Sequence, residues 1–242
     1  PLRHPVYRAI WIASFVSFLG TWMQEVGAAW LMTSLTSSPV LIGMVQTAAT
    51  LPFVLLALPA GALADVVDRR RLLRVMQGWM LGTSALLGVL ALSGSIGAPG
   101  LLALLFAVGI GTALAAPAWQ AIIPDLVDRR DLAGALALNG IAINSARAIG
   151  PAIGGLVVAS LGSGAAFLLN AVSFIGLIVV VSRWRNPQRA SLLPAEHLLG
   201  AMAAGLRYAR HAPGLRAILW RSGLFILSGS LPRGVPVTAY AR

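Results

Sequence analysis

Six long stretches with almost no charged residues limit this chain to a membrane fold. Crossing about 30 Å of hydrocarbon takes about 20 mostly apolar helical residues, because lipid offers no hydrogen-bond partners to an open backbone. Only 10% of the 242 residues are charged, whereas a soluble domain carries about 25%. The sequence therefore predicts an all-α, polytopic membrane protein. The predicted spans cover residues 10–35, 40–64, 72–92, 101–123, 132–161 and 165–181.

The predicted spans divide the chain into three parts. Residues 1–182 form a six-helix transmembrane domain, residues 183–213 a cytoplasmic linker with an amphipathic segment, and residues 214–242 an incomplete seventh helix with an aberrant C-terminus. The seventh apolar stretch is weaker because Arg216 and Arg221 lie in its first turns, and Pro232 and Pro236 break any helix beyond it. We expect a shortened product that lacks a C-terminal half.

The arginines predict how the chain is oriented in the membrane. Most of them lie in the N-terminal segment and in segments 65–74, 125–131 and 183–210, whereas segments 36–39, 93–100 and 162–164 carry no charge. Short loops that carry Arg or Lys stay in the cytoplasm. We therefore expect a multi-pass protein of the bacterial inner (plasma) membrane with a cytoplasmic N-terminus. The net charge of +11 does not indicate nucleic-acid binding, because the arginines are not gathered on one face.

Missing residue types exclude several classes of chemistry. The chain has no Cys, and all 18 of its basic residues are Arg. Thiolate metal sites, a P-loop and a Schiff-base lysine therefore cannot form. His4, His197 and His211 are scattered, and the sequence has no G-x-S-x-G elbow. We expect no enzyme, no metal and no cofactor.

Two ionisable residues, Glu25 and Arg147, lie well inside predicted spans. Each follows the cytoplasmic start of its span by 15 positions, which corresponds to a depth of about 22 Å. Charges inside a bilayer are costly and mark functional sites. Our hypothesis is that both face one polar cavity, where Glu25 takes up a proton when its pairing changes. In the alternative, Glu25 is solvated near the outer interface and Arg147 snorkels or caps backbone carbonyls.

Pro151 weakens the fifth span close to Arg147. It has no N–H to bond the carbonyl of Arg147, and Gly150, Gly154 and Gly155 would let a neighbouring helix approach. A hinge or a tight seam between helices is one interpretation, and a merely tolerated kink is the other.

Two similar charged loops are expected at the cytoplasmic face. One ends in Asp65 to Arg71, and an Asp-x-Val-Asp-Arg-Arg string recurs at residues 125–130. The short first loop should hold Asp65 at a helix end, where a helix N-terminus stabilises a carboxylate. An ion pair between Arg69 and Asp125 is geometrically plausible. Alternatively, each loop is a plain positive-inside anchor.

Three motifs together resemble those of the major facilitator superfamily, in the branch of enterobactin exporters and transmembrane secretion effectors. The first is similar to the signature loop between helices two and three, and the second to the antiporter signature. The chain departs from the superfamily pattern at Val66, where Arg is usual, at Asp68, where Gly is common, and in its fourth span, which has no Arg. The motifs are Gly61-x-Leu63-x-Asp65-x-x-Asp68-Arg69-Arg70, Gly150-Pro151-x-x-Gly154-Gly155, and Leu19-Gly20-Thr21-Trp22-Met23-Gln24 with Trp30-Leu31 and the Ser38-Pro39 turn.

This resemblance implies the N-terminal half of a twelve-helix fold plus the start of helix seven. It implies a secondary active transporter that exports a small hydrophobic molecule, such as a drug or a siderophore-like compound, in exchange for protons by alternating access. Its partners would be that substrate, protons, the lipid bilayer and a second half. The alternative is a truncated, non-transporting membrane subunit or scaffold that needs a second half.

The resemblance also implies a role for each candidate residue. The substrate and proton pathway would be lined by Trp22, Gln24, Glu25, Trp119, Asn144 and Arg147. A conformational latch would comprise Gly61, Asp65, Asp68, Arg69, Arg70 and Asp125. An antiporter-type seam at the domain interface would comprise Gly150, Pro151, Gly154 and Gly155.

Overall fold

A computed structural model describes residues 1–184, which fold into six α-helices. All six are long and apolar enough to cross a membrane, which confirms the predicted all-α, six-span arrangement. The predictions for the linker and the seventh helix lie largely outside the described residues. The helices are α1 (Pro5–Leu35), α2 (Pro39–Val66), α3 (Arg69–Leu92), α4 (Ala98–Leu126), α5 (Leu132–Leu161) and α6 (Ser163–Arg183).

Prolines and a glycine set several of the helix boundaries. Pro5, Pro39 and Pro99 lie in the first turns of their helices, where the missing N–H costs nothing. Helices α5 and α6 are separated by Gly162 alone, whose φ of +81° is a conformation that favours glycine. The predicted uncharged loop 162–164 is therefore shorter than expected, because α6 begins directly after the glycine.

The six helices pack into a bundle. Helix α1 packs on α5 and α6, α3 packs on α4 and α6, and α2 packs on α4. Successive helices run in opposite directions through the bundle. One end therefore gathers the start of α1 and the α2–α3 and α4–α5 junctions, which carry the arginines. We call this the Arg-bearing end.

A row of hydrogen bonds joins the first turns of α1 to those of α5. His4 Nε2 lies 3.0 Å from Asp131 Oδ2, and the Tyr7 hydroxyl donates to the Ala135 carbonyl at 2.9 Å. About one helical turn further along both helices, Trp11 Nε1 donates to the Leu138 carbonyl at 2.9 Å. This spacing on both helices requires α1 and α5 to run parallel, with their N-termini at the same side of the membrane.

A buried polar cluster ties α1 to α3 and α6. Gln24 Oε1 accepts hydrogen bonds from Ser84 Oγ at 2.9 Å and from Asn170 Nδ2 at 2.8 Å. A Cβ on Gly20 would lie 2.5 Å from Asn170 Oδ1 and 3.1 Å from Asn170 Cα, so a larger residue there would displace the Asn170 side chain and push α6 away from α1. Hydrogen bonds between polar side chains hold helices together in lipid, where the hydrophobic effect does not.

Candidate functional site

Two arginines join the α2–α3 junction to the ends of α4 and α6. Arg69 Nη1 lies 3.7 Å from Asp125 Oδ2 and donates to the Ala121 carbonyl at 3.3 Å. Arg70 Nε donates to the Val181 carbonyl at 3.0 Å, and its Nη2 donates to Ser182. The last carbonyls of a helix have no intrahelical partners and carry partial negative charge. The suggested Arg69–Asp125 ion pair is therefore present, while its role as a latch stays a prediction.

The two aspartates of the first loop occupy different helix ends. Asp68 is the N-cap of α3, and its Oδ1 accepts from the Arg71 N–H at 2.6 Å. Asp65 lies in the last turn of α2, exposed, where the helix dipole does not favour a carboxylate. The expectation that Asp65 would lie at a helix N-terminus was therefore wrong, because the helix continues past it. Gly61 also lies inside α2, with open space where its side chain would be.

Two of the three seam glycines lie against α1. A Cβ on Gly150 would come within 2.5 Å of Trp22 Cβ, and one on Gly154 within 2.9 Å of Met23 Cα. A Cβ on Gly155 would meet nothing within 4 Å. Helix α5 continues through Pro151. Gly150 and Gly154 thus form a seam between two helices of this bundle, and a role at a domain interface stays a prediction.

Glu25 and Arg147 form no ion pair within 4.0 Å, although Trp22, which Arg147 contacts, precedes Glu25 by only three positions on α1. The Arg147 guanidinium carbon lies 5.7 Å from the centre of the Trp22 ring, a distance at which a cation and an aromatic face attract each other. Among residues 1–184 the ion pairs within 4.0 Å involve Asp125 and Asp131, and Glu25 has none. Trp22 and Arg147 pack together, whereas Glu25 points towards α2 and α4.

Glu25 lines a cavity of about 230 Å³ between α1, α2 and α4, which we call the small cavity. Gln24, Gln46 and Thr50 also line it, and Phe53 contributes an aromatic wall. The small cavity therefore places one carboxylate among uncharged hydrogen-bonding groups.

A second cavity, of about 470 Å³, lies between α1, α3, α4, α5 and α6, and we call it the large cavity. Its wall has no charged residue and includes Phe18, Trp119 and Phe174. Thr21 and Thr112 line both cavities, so the two adjoin.

The predicted pathway residues are divided between these surroundings. Trp119 lines the large cavity, and Gln24 and Glu25 line the small one. Trp22 and Arg147 form their own contact at the α1–α5 seam. The exposed Asn144 donates back to Gly140 of its own helix at 2.8 Å. Their shared role in transport stays a prediction.

Sequence reasoning missed Gln77, which lines the large cavity from α3. Its side chain is 6% exposed, and its Oε1 has no hydrogen-bond partner within the part of the chain that the structure describes. Trp119 Nε1, in the same wall, is likewise buried without a partner there. A polar residue in an apolar span was the available signal, but the predicted pathway included no residue of α3.

Comparison with known proteins reveals one family across most of the chain. Residues 1–233 match the transmembrane secretion effector family. The staphyloferrin A transporter of Staphylococcus aureus is 34% identical over 67% of the chain and 41% of its own length. The enterobactin exporter EntS of Shigella boydii is 27% identical over 94% of the chain and 55% of its own length, as is that of Escherichia coli.

The chain thus spans about half the length of the curated relatives that it matches. The family match covers more than half of the chain, and six helices able to span a membrane agree with it. The chain is a multi-pass membrane protein that belongs to the transmembrane secretion effector family of the major facilitator superfamily.

Proposed function

We propose that the chain forms the N-terminal six-helix half of a secondary active exporter. The exporter moves a small hydrophobic molecule, drug-like or siderophore-like, out of a bacterial cell in exchange for protons and works by alternating access. The names of its relatives support a transporter. The observation that carries the proton-coupled form of the proposal is Glu25, a carboxylate deep in a membrane span that lines a cavity.

Among the described helices, Glu25 is the one acidic residue that lies away from a terminal turn. A charged side chain at this depth costs about 2.5–3.5 kcal/mol on insertion scales. Proton uptake by Glu25 removes that cost and makes the small cavity neutral. The protonated carboxyl group therefore favours apolar surroundings, and the ionised carboxylate favours polar ones. Gln46 and Thr50 line the same cavity and carry amide and hydroxyl groups that are able to donate to a carboxylate and to accept from a carboxylic acid.

Polar side chains on the outer faces of α2 and α5 support a second half. Gln46 and Thr47 on α2 and Asn144 and Arg147 on α5 are all exposed within membrane spans. Lipid cannot satisfy these groups. We propose that a second six-helix half covers them and that substrate passes between the halves. The antiporter-type seam, comprising Gly150, Pro151, Gly154 and Gly155, lies on α5 at one side of this passage.

The Arg-bearing end would face the cytoplasm of a bacterial cell, with the chain in the inner membrane. In that orientation the Arg69–Asp125 pair holds the α2–α3 and α4–α5 junctions together at the inner surface. We propose that this contact, with Asp65, latches the state that is closed to the cytoplasm.

Transport by everted membrane vesicles tests this function. Vesicles from cells that express the gene should accumulate a fluorescent hydrophobic dye, enterobactin or staphyloferrin A when a proton gradient is present, and should not when it is collapsed. Glu25→Gln should abolish the response to the gradient. The matched control Asp128→Asn, in an exposed loop, should transport normally. Unaltered pH dependence in Glu25→Gln would remove the proton-carrier role.

The alternative is a membrane subunit that does not transport by itself and needs a separate second half. The matches to this chain cover only 41% and 55% of the lengths of two relatives, which is why this alternative is considered. Vesicles that contain this chain alone would then accumulate no compound from the panel. Accumulation that appears only when a C-terminal six-helix half is co-expressed would establish this alternative.

A further inference from the structure

The four arginines at the start of α3 differ in what their side chains contact. Arg69 and Arg70 bind the ends of α4 and α6. Arg71 and Arg74 are exposed, and among the described residues their guanidinium groups have no ion pair within 4.0 Å and no hydrogen bond. The Asp68 carboxylate bonds the backbone N–H of Arg71 and not its side chain. Two cations therefore lack a countercharge within the part of the chain that the structure describes.

Arg71 and Arg74 project from one face of α3. They are three positions apart, a spacing that places side chains beside each other on a helix, with about 5–6 Å between their Cβ atoms. Helical side chains lean towards the N-terminus of their helix, which for α3 is the Arg-bearing end. Guanidinium groups bind phosphate through paired N–H donors. The two side chains are therefore placed to hold one phosphate group between them.

The same face of α3 continues into an apolar surface inside the membrane span. Val75 and Trp79 are 54% and 49% exposed, and a Cβ on Gly78 would meet nothing within 4 Å. The Trp79 indole N–H already donates to the Ala107 carbonyl at 2.7 Å, so the exposed ring needs no polar partner. Helix α3 packs on α4 and α6 through its other faces. An uncovered apolar surface next to two cations matches a phospholipid, whose acyl chains adjoin its phosphate.

A third arginine lies at the end of the neighbouring helix. Arg183 is exposed in the last turn of α6, directly after the Val181 and Ser182 carbonyls that accept from Arg70. Since Arg74 follows Arg70 by about one helical turn, the end of α6 adds a positive charge beside the pair.

We propose that this surface binds one anionic phospholipid, such as phosphatidylglycerol, from the leaflet at the Arg-bearing end. We call it the lipid surface, and it comprises Arg71, Arg74, Val75, Trp79 and Arg183. The arginines hold the phosphate, and the acyl chains lie along α3. A zwitterionic phospholipid has a cation of its own and gains less from the arginines. This inference goes beyond the proposed function and does not depend on export.

Native mass spectrometry of the purified, delipidated chain in detergent tests the site. Phosphatidylglycerol and phosphatidylcholine with the same acyl chains are titrated separately, and the fraction of chain with one bound lipid gives a dissociation constant for each. An arginine near a membrane surface strengthens binding to anionic lipid by about fivefold. We therefore expect phosphatidylglycerol to bind more tightly than phosphatidylcholine by at least this factor. Equal affinities would overturn the proposal.

Two double variants that remove the same charge locate the site. Arg71→Gln with Arg74→Gln should weaken phosphatidylglycerol binding by at least about fivefold and leave phosphatidylcholine binding unchanged. The control is Arg129→Gln with Arg130→Gln, because these exposed arginines lie in the turn between α4 and α5 and not on a helix face. It should retain the affinity of the unmodified chain. Equal losses in the two double variants would indicate a general attraction to a cationic protein and would overturn the assignment.

A soluble competitor separates a lipid site from a phosphate site. Glycerol 3-phosphate carries the phosphate without acyl chains, and in large molar excess it should displace no more phosphatidylglycerol than sodium chloride of the same ionic strength does. Greater displacement would mean that the arginines bind free phosphate and would overturn the lipid assignment. A dimer without bound phosphatidylglycerol would assign the surface to a second copy of the chain, with the same consequence.

Far-ultraviolet circular dichroism shows whether each variant is folded. If the Arg71 and Arg74 variant is not, the two lipids and the competitor on the unmodified chain decide the matter. Lipid binding requires neither substrate nor a proton gradient. Selective binding by a chain that does not transport would thus support this inference and remove the proposed function, and transport by a chain without lipid selectivity would do the reverse.

Discussion

At the scale of single residues, the polar side chains inside the bundle differ in whether the protein itself satisfies them. Gln24 was expected to face substrate, but its oxygen is occupied by Ser84 and Asn170. These bonds join α1 to α3 and α6, while Gln24 also lines the small cavity, and its role in transport stays a prediction. Gln77 has no such partner among the described residues and lines a larger cavity. A sequence shows only that each glutamine is a polar residue in an apolar span. That information does not separate the two roles.

Replacing Asn170 should weaken the bundle and leave Gln77 and Trp119 unchanged. Asn170→Leu keeps the approximate volume but deprives Gln24 Oε1 of one donor at a fully buried site. We expect a loss of about 1 kcal/mol in the free energy of unfolding, because hydrogen bonds between helices in lipid are of that size. Thermal unfolding in detergent measures it.

Asn144→Leu is the matched control for this prediction, because Asn144 is exposed and bonds only to its own helix. Its stability should change by less than about 0.5 kcal/mol. Equal stability of Asn170→Leu and the unmodified chain would show that the cluster does not hold the helices together.

Asp131, the N-cap of α5, makes the contact between α1 and α5 sensitive to acid. The hydrogen bond from the His4 side chain lowers the pKa of the Asp131 carboxyl. A carboxyl whose pKa is lower in the folded chain stabilises the fold above its unfolded pKa, about 3.9, and this contribution disappears as pH falls through the folded value.

We therefore expect the unfolding temperature of the unmodified chain to fall below about pH 4 more steeply than that of Asp131→Asn. Asp128→Asn, in the same exposed loop, should keep the unmodified profile. Parallel curves for the unmodified chain and Asp131→Asn between about pH 6 and pH 3 would contradict this account.

At the scale of helices, the existence of each element could be predicted, and so could both ends of α5 and the last residues of α1 and α3, whereas the first residues of α1 and α3 could not. Long apolar runs identify spans because the hydrocarbon excludes charge. The helices nevertheless extend beyond those runs, with α1 beginning at Pro5 and α3 at Arg69. Arginines can continue a helix outside the hydrocarbon, and Arg69 and Arg70 are held there by the carbonyls of Ala121 and Val181. These partners are distant in the sequence and leave no local signal.

The α1–α5 seam depends on the absence of a side chain at Gly150. In Gly150→Ala the new methyl group would lie 2.5 Å from Trp22 Cβ, an atom fixed to the α1 backbone. The helices must then separate, and we expect a loss of about 1–3 kcal/mol in the free energy of unfolding. Gly155→Ala, whose methyl group meets open space, should be neutral or slightly stabilising because alanine favours a helix. Similar unfolding temperatures for the two variants would exclude a tight seam.

At the scale of the whole molecule, the rotation of each helix about its own axis could not be predicted. Glu25 and Arg147 follow the starts of their predicted spans by the same number of residues, which suggested one shared cavity. The hydrogen bonds of Tyr7 and Trp11 to α5 set α1 so that Trp22 meets Arg147 and Glu25 faces α2 and α4. Only packing of several helices decides such angles, because apolar residues lie all round these helices and do not mark one buried face.

The topology of the chain can be tested directly because it contains no cysteine. Every single-cysteine variant is then free of background labelling. Ser37→Cys and Ser95→Cys place a thiol in exposed loops at the uncharged end, and Asp128→Cys places one at the Arg-bearing end. Since loops with arginine remain in the cytoplasm, a membrane-impermeant maleimide added to spheroplasts should label the first two. It should label Asp128→Cys only after the membrane is permeabilised. Labelling of Ser37→Cys and Asp128→Cys from the same side would be incompatible with α2, α3 and α4 each crossing the membrane once, and the six-span topology on which the exporter proposal depends would have to be abandoned.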